Sequence, residues 1–154
     1  MGCDIHFYVE KKINNKWQCI DNILPNIDFD ENDEHCLDFY IESIYTNRNY
    51  FLFGILAGVR SYCEEPISEP KGLPDDVSDI IKELSNNYGV DGHSHSWLTL
   101  KEILDYDWDS VEKVCFEEYE YNYINDFKHV IKKLISCSID VSLLDIRCVF
   151  WFDS

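Results

Sequence analysis

The stretch VDGHSHSWLTLKEIL, residues 90–104, places Asp91, His93, Ser94, His95, Ser96 and Trp97 side by side. Imidazole and carboxylate groups ligate zinc, manganese or iron, and they also move protons near neutral pH. A second set stands at the N-terminus, where Asp4, His6 and Tyr8 alternate with Cys3, Ile5, Phe7 and Val9. On a strand, Asp4 and His6 share one face about 7 Å apart along the chain. Two chemistries suit these residues. Asp4, His6, Asp91, His93 and His95 would hold a divalent metal that activates water against a phosphoester. Alternatively, the same groups line a pocket that binds a ligand without converting it. The plainer reading keeps the Asp4 row in solvent and lets Asp91 and a serine close a turn.

Phosphate-binding groups lie elsewhere. Arg48 and Asn49 precede an apolar segment, Arg60 follows it, and Lys71 sits in a proline-rich loop. Together with a helix start near Leu100, these provide cations and free N–H groups for an anion. Tyr8, Tyr50 or Trp97 offers a ring face for a base, while Ser94, Ser96 and the histidines suit ribose or base edges.

The elements that must position these groups follow from pattern. Cys3 to Ile13 alternates as a half-buried strand, Asn14-Asn15 suits a tight hairpin turn, and WQCIDNI reads as the returning strand. Residues 24–35 form an acidic loop. DFDENDE resembles the start of a calcium loop but has Phe39 where the twelfth-position glutamate belongs. HCLDFYIESIYT fits a strand or a short helix. Residues 51–59 are apolar all round and read as a buried helix, with Gly54 and Gly58 admitting a close backbone. PDDVSDIIKELSNNYG has helix start and stop signals, DGHSHS reads as a polar loop, and Thr99 with Glu102 fits a capping box. A further helix is expected over about residues 110–136, and LLDIRCVFWFD, apolar on both faces, reads as a central strand. The class is α+β: an antiparallel sheet built from the N-terminal hairpin and the C-terminal strand, with helices packed against it, in a single globular domain over residues 1–154.

Composition bounds the function. A net charge of −17 argues against binding nucleic acid directly or an anionic membrane. It suits a solubilising surface, or an acidic decoy that occupies a basic partner, with acids clustered over residues 28–34 and 105–120. No apolar run is long enough to span a bilayer. Gly2-Cys3 begins like a lipidation site, but His6 stands where that signal needs Ser or Thr. Seven scattered cysteines without a C-x-x-C read as reduced thiols. A Walker loop, G-x-S-x-G and H-E-x-x-H are absent, and the D-x-H strand carries Tyr8 where metal-dependent hydrolases have a second histidine.

In the blocks MGCDIH, RNYFLFGILAGVR, GLPDDVS and DGHSHSWLTLKE the chain resembles a family of small uncharacterised phage, large-virus and bacterial proteins. The resemblance implies a viral accessory protein in a host cytoplasm that counters host defence, and it transfers no catalytic residue. The expected function is sequestration of a small phosphate-bearing, nucleotide-like ligand, a host immune signal being one candidate, with no cofactor and with homo-oligomerisation open. The alternatives are a metal-dependent phosphoester hydrolase, requiring a divalent metal, and an acidic decoy inhibitor of a host nucleic-acid-binding defence protein.

Overall fold

The computed structural model describes residues 2–60, 65–111 and 124–154. Six strands lie among the described residues: β1 (Asp4–Ile13), β2 (Lys16–Cys19), β3 (Asn22–Pro25), β4 (Phe39–Glu42), β5 (His93–Thr99) and β6 (Ile146–Asp153). Helices among the described residues are α1 (Tyr50–Ala57), α2 (Asp79–Tyr88), α3 (Leu100–Asp105) and α4 (Asn125–Cys137), with a further helical stretch at 108–111. The main sheet is antiparallel with order β2-β1-β6-β5, and β3-β4 form a separate ribbon. This is the α+β architecture expected from the N-terminal hairpin and the C-terminal strand.

Local chemistry explains the elements. Asn14 and Asn15 both take positive φ, 50° and 64°, as a two-residue hairpin turn requires. Asn49 caps α1 by accepting the Leu52 N–H, and Gly58 ends it in the left-handed region, φ 69°. Gly58 therefore acts as a helix stop rather than as a face for a close backbone. At α3 the capping box is complete: Thr99 accepts the Glu102 N–H while the Glu102 carboxylate accepts the Thr99 N–H. The segment that fitted strand or helix is β4. The helix expected from about residue 110 is described from Asn125 as α4; Val114 and Tyr121 lie outside the described residues, as do Cys63 and Cys115. The five described cysteines are free thiols.

The sheet is buried on both faces, which is why β6 reads as an unbroken apolar run. On one face Ile5, Phe7, Val9, Cys148, Phe150 and Phe152 pack against α1, α3 and α4 in the main core. On the other, Tyr8, Val149 and Trp151 pack against Ile81 of α2 and Ile41 of the ribbon. The Asp4-His6-Tyr8 row belongs to this second face. Tyr8 is sealed, while His6 and Asp4 remain half-buried toward one end. Asp126, at the start of α4, accepts bonds from Tyr45, Asn47 and Asn49 and so anchors that helix to the segment entering α1.

Asp21 closes the hairpin by accepting the Val9 N–H at 2.7 Å. Burial lifts its pKa from the ordinary 3.8 to about 6, against the opposing pull of that bond and of Lys133. A raised carboxyl stabilises the fold fully below its unfolded pKa, and that contribution is lost as pH rises through the folded value. From about pH 4 to 6 the shift costs the folded state on the order of 3 kcal/mol. Asp21→Asn keeps an oxygen for Val9. The stability difference between variant and wild type, followed by urea denaturation, should grow in the variant's favour across that window. A difference independent of pH would mean that Asp21 titrates normally.

Candidate functional site

The most concentrated polar chemistry lies on the second face, at the end where β2 meets β1. Arg147 of β6 stands opposite Glu10 of β1 and Thr99 of β5. Its Nε donates to Glu10 Oε1 at 2.7 Å and its Nη1 to Asp76 Oδ1 at 2.8 Å. The other Glu10 oxygen accepts the Ser78 N–H at 2.8 Å, tying the pair to the start of α2. Glu10 and Arg147 are 0% and 2% exposed, so neither charge has water to rely on. Burial pushes the Asp76 carboxyl upward, but the Arg147 bond and charge overcome it and hold its pKa low.

Around this pair runs a ladder of alternating cations and indoles. Lys12 Nζ lies 5.7 Å from the Trp17 ring centroid, and the Arg147 guanidinium lies 4.0 Å from Trp17 and 5.6 Å from Trp97. Lys71 Nζ completes it, 4.1 Å from Trp97. All four strands of the sheet contribute, and the loop of Lys71 is pinned to β5 by Lys71 N–H to Ser96 Oγ and Gly72 N–H to the His95 carbonyl. The ladder borders an open groove of about 490 Å3, whose lining includes Asp75, Asp76 and Thr99. Lys71 also bonds Glu102 at 2.6 Å. Burial raises the Glu102 pKa, yet its bonds from Lys71 and Thr99 leave it lowered.

The residues singled out in the sequence divide among three places. Lys71 and Trp97 line the groove, with Ser96 buried beneath them. His6, His95 and Tyr88 gather on Trp151: His6 stacks at 5.8 Å and His95 at 5.6 Å, and Tyr88 packs edge-on. His6 bonds Asp153 at 3.2 Å, and His95 bonds Ser85 at 3.0 Å. Burial, then the neighbouring His93, holds the His95 pKa below its ordinary value, so it is neutral at pH 7. The third place is the end of β1, where Arg48 grips Asp4 through two bonds of 2.9 and 2.8 Å. Tyr50 accepts the Cys3 N–H there, and Arg60 lies 5.7 Å from the Tyr50 ring. Of the expected composite pocket, His6 and His95 meet on Trp151, and Asp4 is held at low pKa by Arg48 first and by the nearby His6 as well, so Arg48 is engaged within the protein.

DGHSHS is a strand, not a loop. His93 pairs with Phe152 and Ser96 with Phe150, so three steps on β5 oppose two on β6. This is a bulge, with Ser94 at φ 53°. The extra residue sends the two histidines to opposite faces. His93 stacks on Phe152 and bonds Ser94 and Ser154; His95 stacks on Trp151. A regular strand would have kept both on one face. Asp91 is exposed on a 3-10 turn, and among the described residues no three His, Cys, Asp or Glu side chains gather as a metal site.

The expected anion sites at helix starts are also filled from within. Asn49 caps α1 and holds Asp126, Arg48 holds Asp4, and the Glu102 carboxylate already occupies the α3 start. The Asp4–Arg48 pair is about half exposed on both sides, so Arg48→Ala should leave the urea denaturation midpoint close to that of the wild type. Gly2 lies against that guanidinium; a Cβ there would sit 2.6 Å from Nη1.

Sequence reasoning passed over Glu10, Lys12, Trp17, Asp76 and Arg147. The available signal was a lone arginine inside LLDIRCVFWFD, a charge that cannot be buried without a partner. Fold and site define an α+β protein with a two-faced antiparallel sheet and a cation–indole groove at one end. Comparison with protein-family models, with curated proteins and with solved structures gave no match.

Proposed function

We propose that the protein binds and holds a small, ring-bearing phosphate ligand of the nucleotide class in the Trp17–Trp97 groove. The observation that carries this reading is the cation–indole ladder: in a chain of net charge −17, three cations and two indoles border one groove. Indole faces bind bases of any identity, and lysines supply the phosphate contacts. Lys12 has no carboxylate partner among the described residues, and Lys71 can exchange Glu102 for a phosphate oxygen. Arg147 stays with Glu10 and Asp76, its charge engaged by the two carboxylates, and lies against Trp17 as a rigid floor. Asp75 and Asp76 on the rim accept from ribose hydroxyls or base N–H groups and disfavour heavily charged ligands. A monophosphate or a cyclic dinucleotide therefore suits the groove better than a triphosphate.

The described lining carries charged, aromatic and aliphatic groups but no cysteine or histidine, and the Thr99 hydroxyl is engaged by Glu102. Joined to the resemblance described above, the role becomes sequestration of a host signal nucleotide during infection. Titration of the protein with AMP, a cyclic dinucleotide and ATP, read by tryptophan fluorescence, should give saturable quenching with the first two and weaker quenching with ATP. The ligand should be recovered unchanged after the protein is denatured. Recovery of a converted product would replace the binding reading by the hydrolase.

The decoy reading has one observation in its favour. Residues 26–38 form an internally bonded acidic loop, in which Asp30 and Asp33 accept the Asn32 and His35 N–H groups while Ile27 is 92% exposed. Capture of a basic host nucleic-acid-binding protein that is abolished by Ile27→Asp, with nucleotide binding absent, would favour it.

A further inference from the structure

A second cavity of about 230 Å3 opens on the main-core side of the sheet, between β1, the segment after β4 and α4. Its walls include Val9, Ile20, Ile44 and Leu134, and its ionisable groups are Asp21, Glu42, His129, Lys133 and the Cys137 thiol. Asp21 Oδ2 is engaged by the Val9 N–H and the Cys19 thiol. The described bonds of the Asp21 carboxylate all fall on Oδ2, and Asp21 lines the cavity. Lys133 is near enough for its charge to draw the Asp21 pKa down, yet the two form no ion pair among the described contacts. Groups of both signs therefore face one small space without pairing across it.

We propose that this cavity binds a small zwitterion of the α-amino-acid class with a short aliphatic side chain. The ammonium meets Asp21 Oδ1 and Glu42, the carboxylate meets Lys133 and His129, and the side chain lies against Ile20, Ile44 and Leu134. Three arguments select this class. Adjacent opposite charges separated by a gap match a head group with ammonium and carboxylate on one carbon. The volume falls below the roughly 300–1,000 Å3 of sites for drug-sized ligands. Finally, a carboxylate whose ionisation is resisted by burial gains from a ligand cation that neutralises it. The site is separate from the groove and does not depend on the nucleotide reading.

The test is calorimetric titration of the full chain with L-valine, isobutylamine and isovalerate, the last two each lacking one of the head-group charges. L-valine should bind saturably, and each single-charge compound at least tenfold more weakly. Asp21→Asn, which preserves the Val9 bond, and Lys133→Met, on the exposed side of α4, should each weaken L-valine binding at least tenfold with circular dichroism unchanged. Absence of L-valine binding, isobutylamine binding as well as L-valine, or unchanged affinity in both folded variants would overturn the proposal. Nucleotide titration of the same variants should be unaffected, so failure here leaves the groove reading standing.

Discussion

Arg147→Met should destabilise the protein by about 3–5 kcal/mol, because it leaves the Glu10 carboxylate buried and unpaired. Glu10 is 0% exposed and its nearest cation is Arg147 at 2.7 Å. Asp76 loses its guanidinium at the same time, but it is largely exposed and can turn to water. For a chain of this length such a loss lowers Tm by roughly 10 °C or more. Glu10→Leu combined with Arg147→Met should recover much of the loss, since an apolar pair of similar volume escapes the desolvation penalty. Urea denaturation of the two variants and the wild type decides this. A cost below about 1 kcal/mol for Arg147→Met would mean that the pair is hydrated, and the rigid floor of the groove would go with it.

Trp97→Ala should weaken nucleotide binding by about tenfold to a hundredfold, the range set by the roughly 1–3 kcal/mol of a base–aromatic stack. Trp97 also packs on the second core beside Val149, so part of any effect is structural. Trp17→Ala separates the two contributions. Trp17 sits on the short strand β2, only partly buried, and its removal leaves Arg147 bound to Glu10 and Asp76. Lys12→Met keeps the aliphatic stem over Trp17 and removes the charge. It should weaken a nucleotide while leaving the corresponding nucleoside unaffected. Equal loss for both would place the phosphate elsewhere.

The fold was legible where local chemistry and pattern agree. Asn14-Asn15 suits a hairpin turn, Thr99 and Glu102 spell a capping box, and the run from Ile146 to Phe152 has no polar face to show to water. His93 to Thr99 misled because histidine and serine signal loops, whereas the buried members of that strand are Ser96 and Leu98. Even a regular strand would have kept His93 and His95 on one face; a one-residue bulge, invisible in the sequence, separates them.

The site was half legible for the same kind of reason. Trp97 and Lys71 stood out by type, but Trp17 and Lys12 read as ordinary hairpin residues. Their partners come from β6 and from the turn before α2, far away in sequence. Asp4 and Arg48 were singled out as separate recruits for a ligand, yet each satisfies the other. Long-range pairing of charges is what a single sequence hides.

The four indole N–H resonances report directly on whether a nucleotide sits between Trp17 and Trp97, as proposed. In nitrogen–proton correlation spectra of the full chain titrated with AMP, Trp17 and Trp97 should shift progressively to saturation, while Trp108, bonded to the Ile103 carbonyl, and the buried Trp151 stay fixed. Shifts confined to Trp151, or no shift at any indole, would contradict the groove as the binding site.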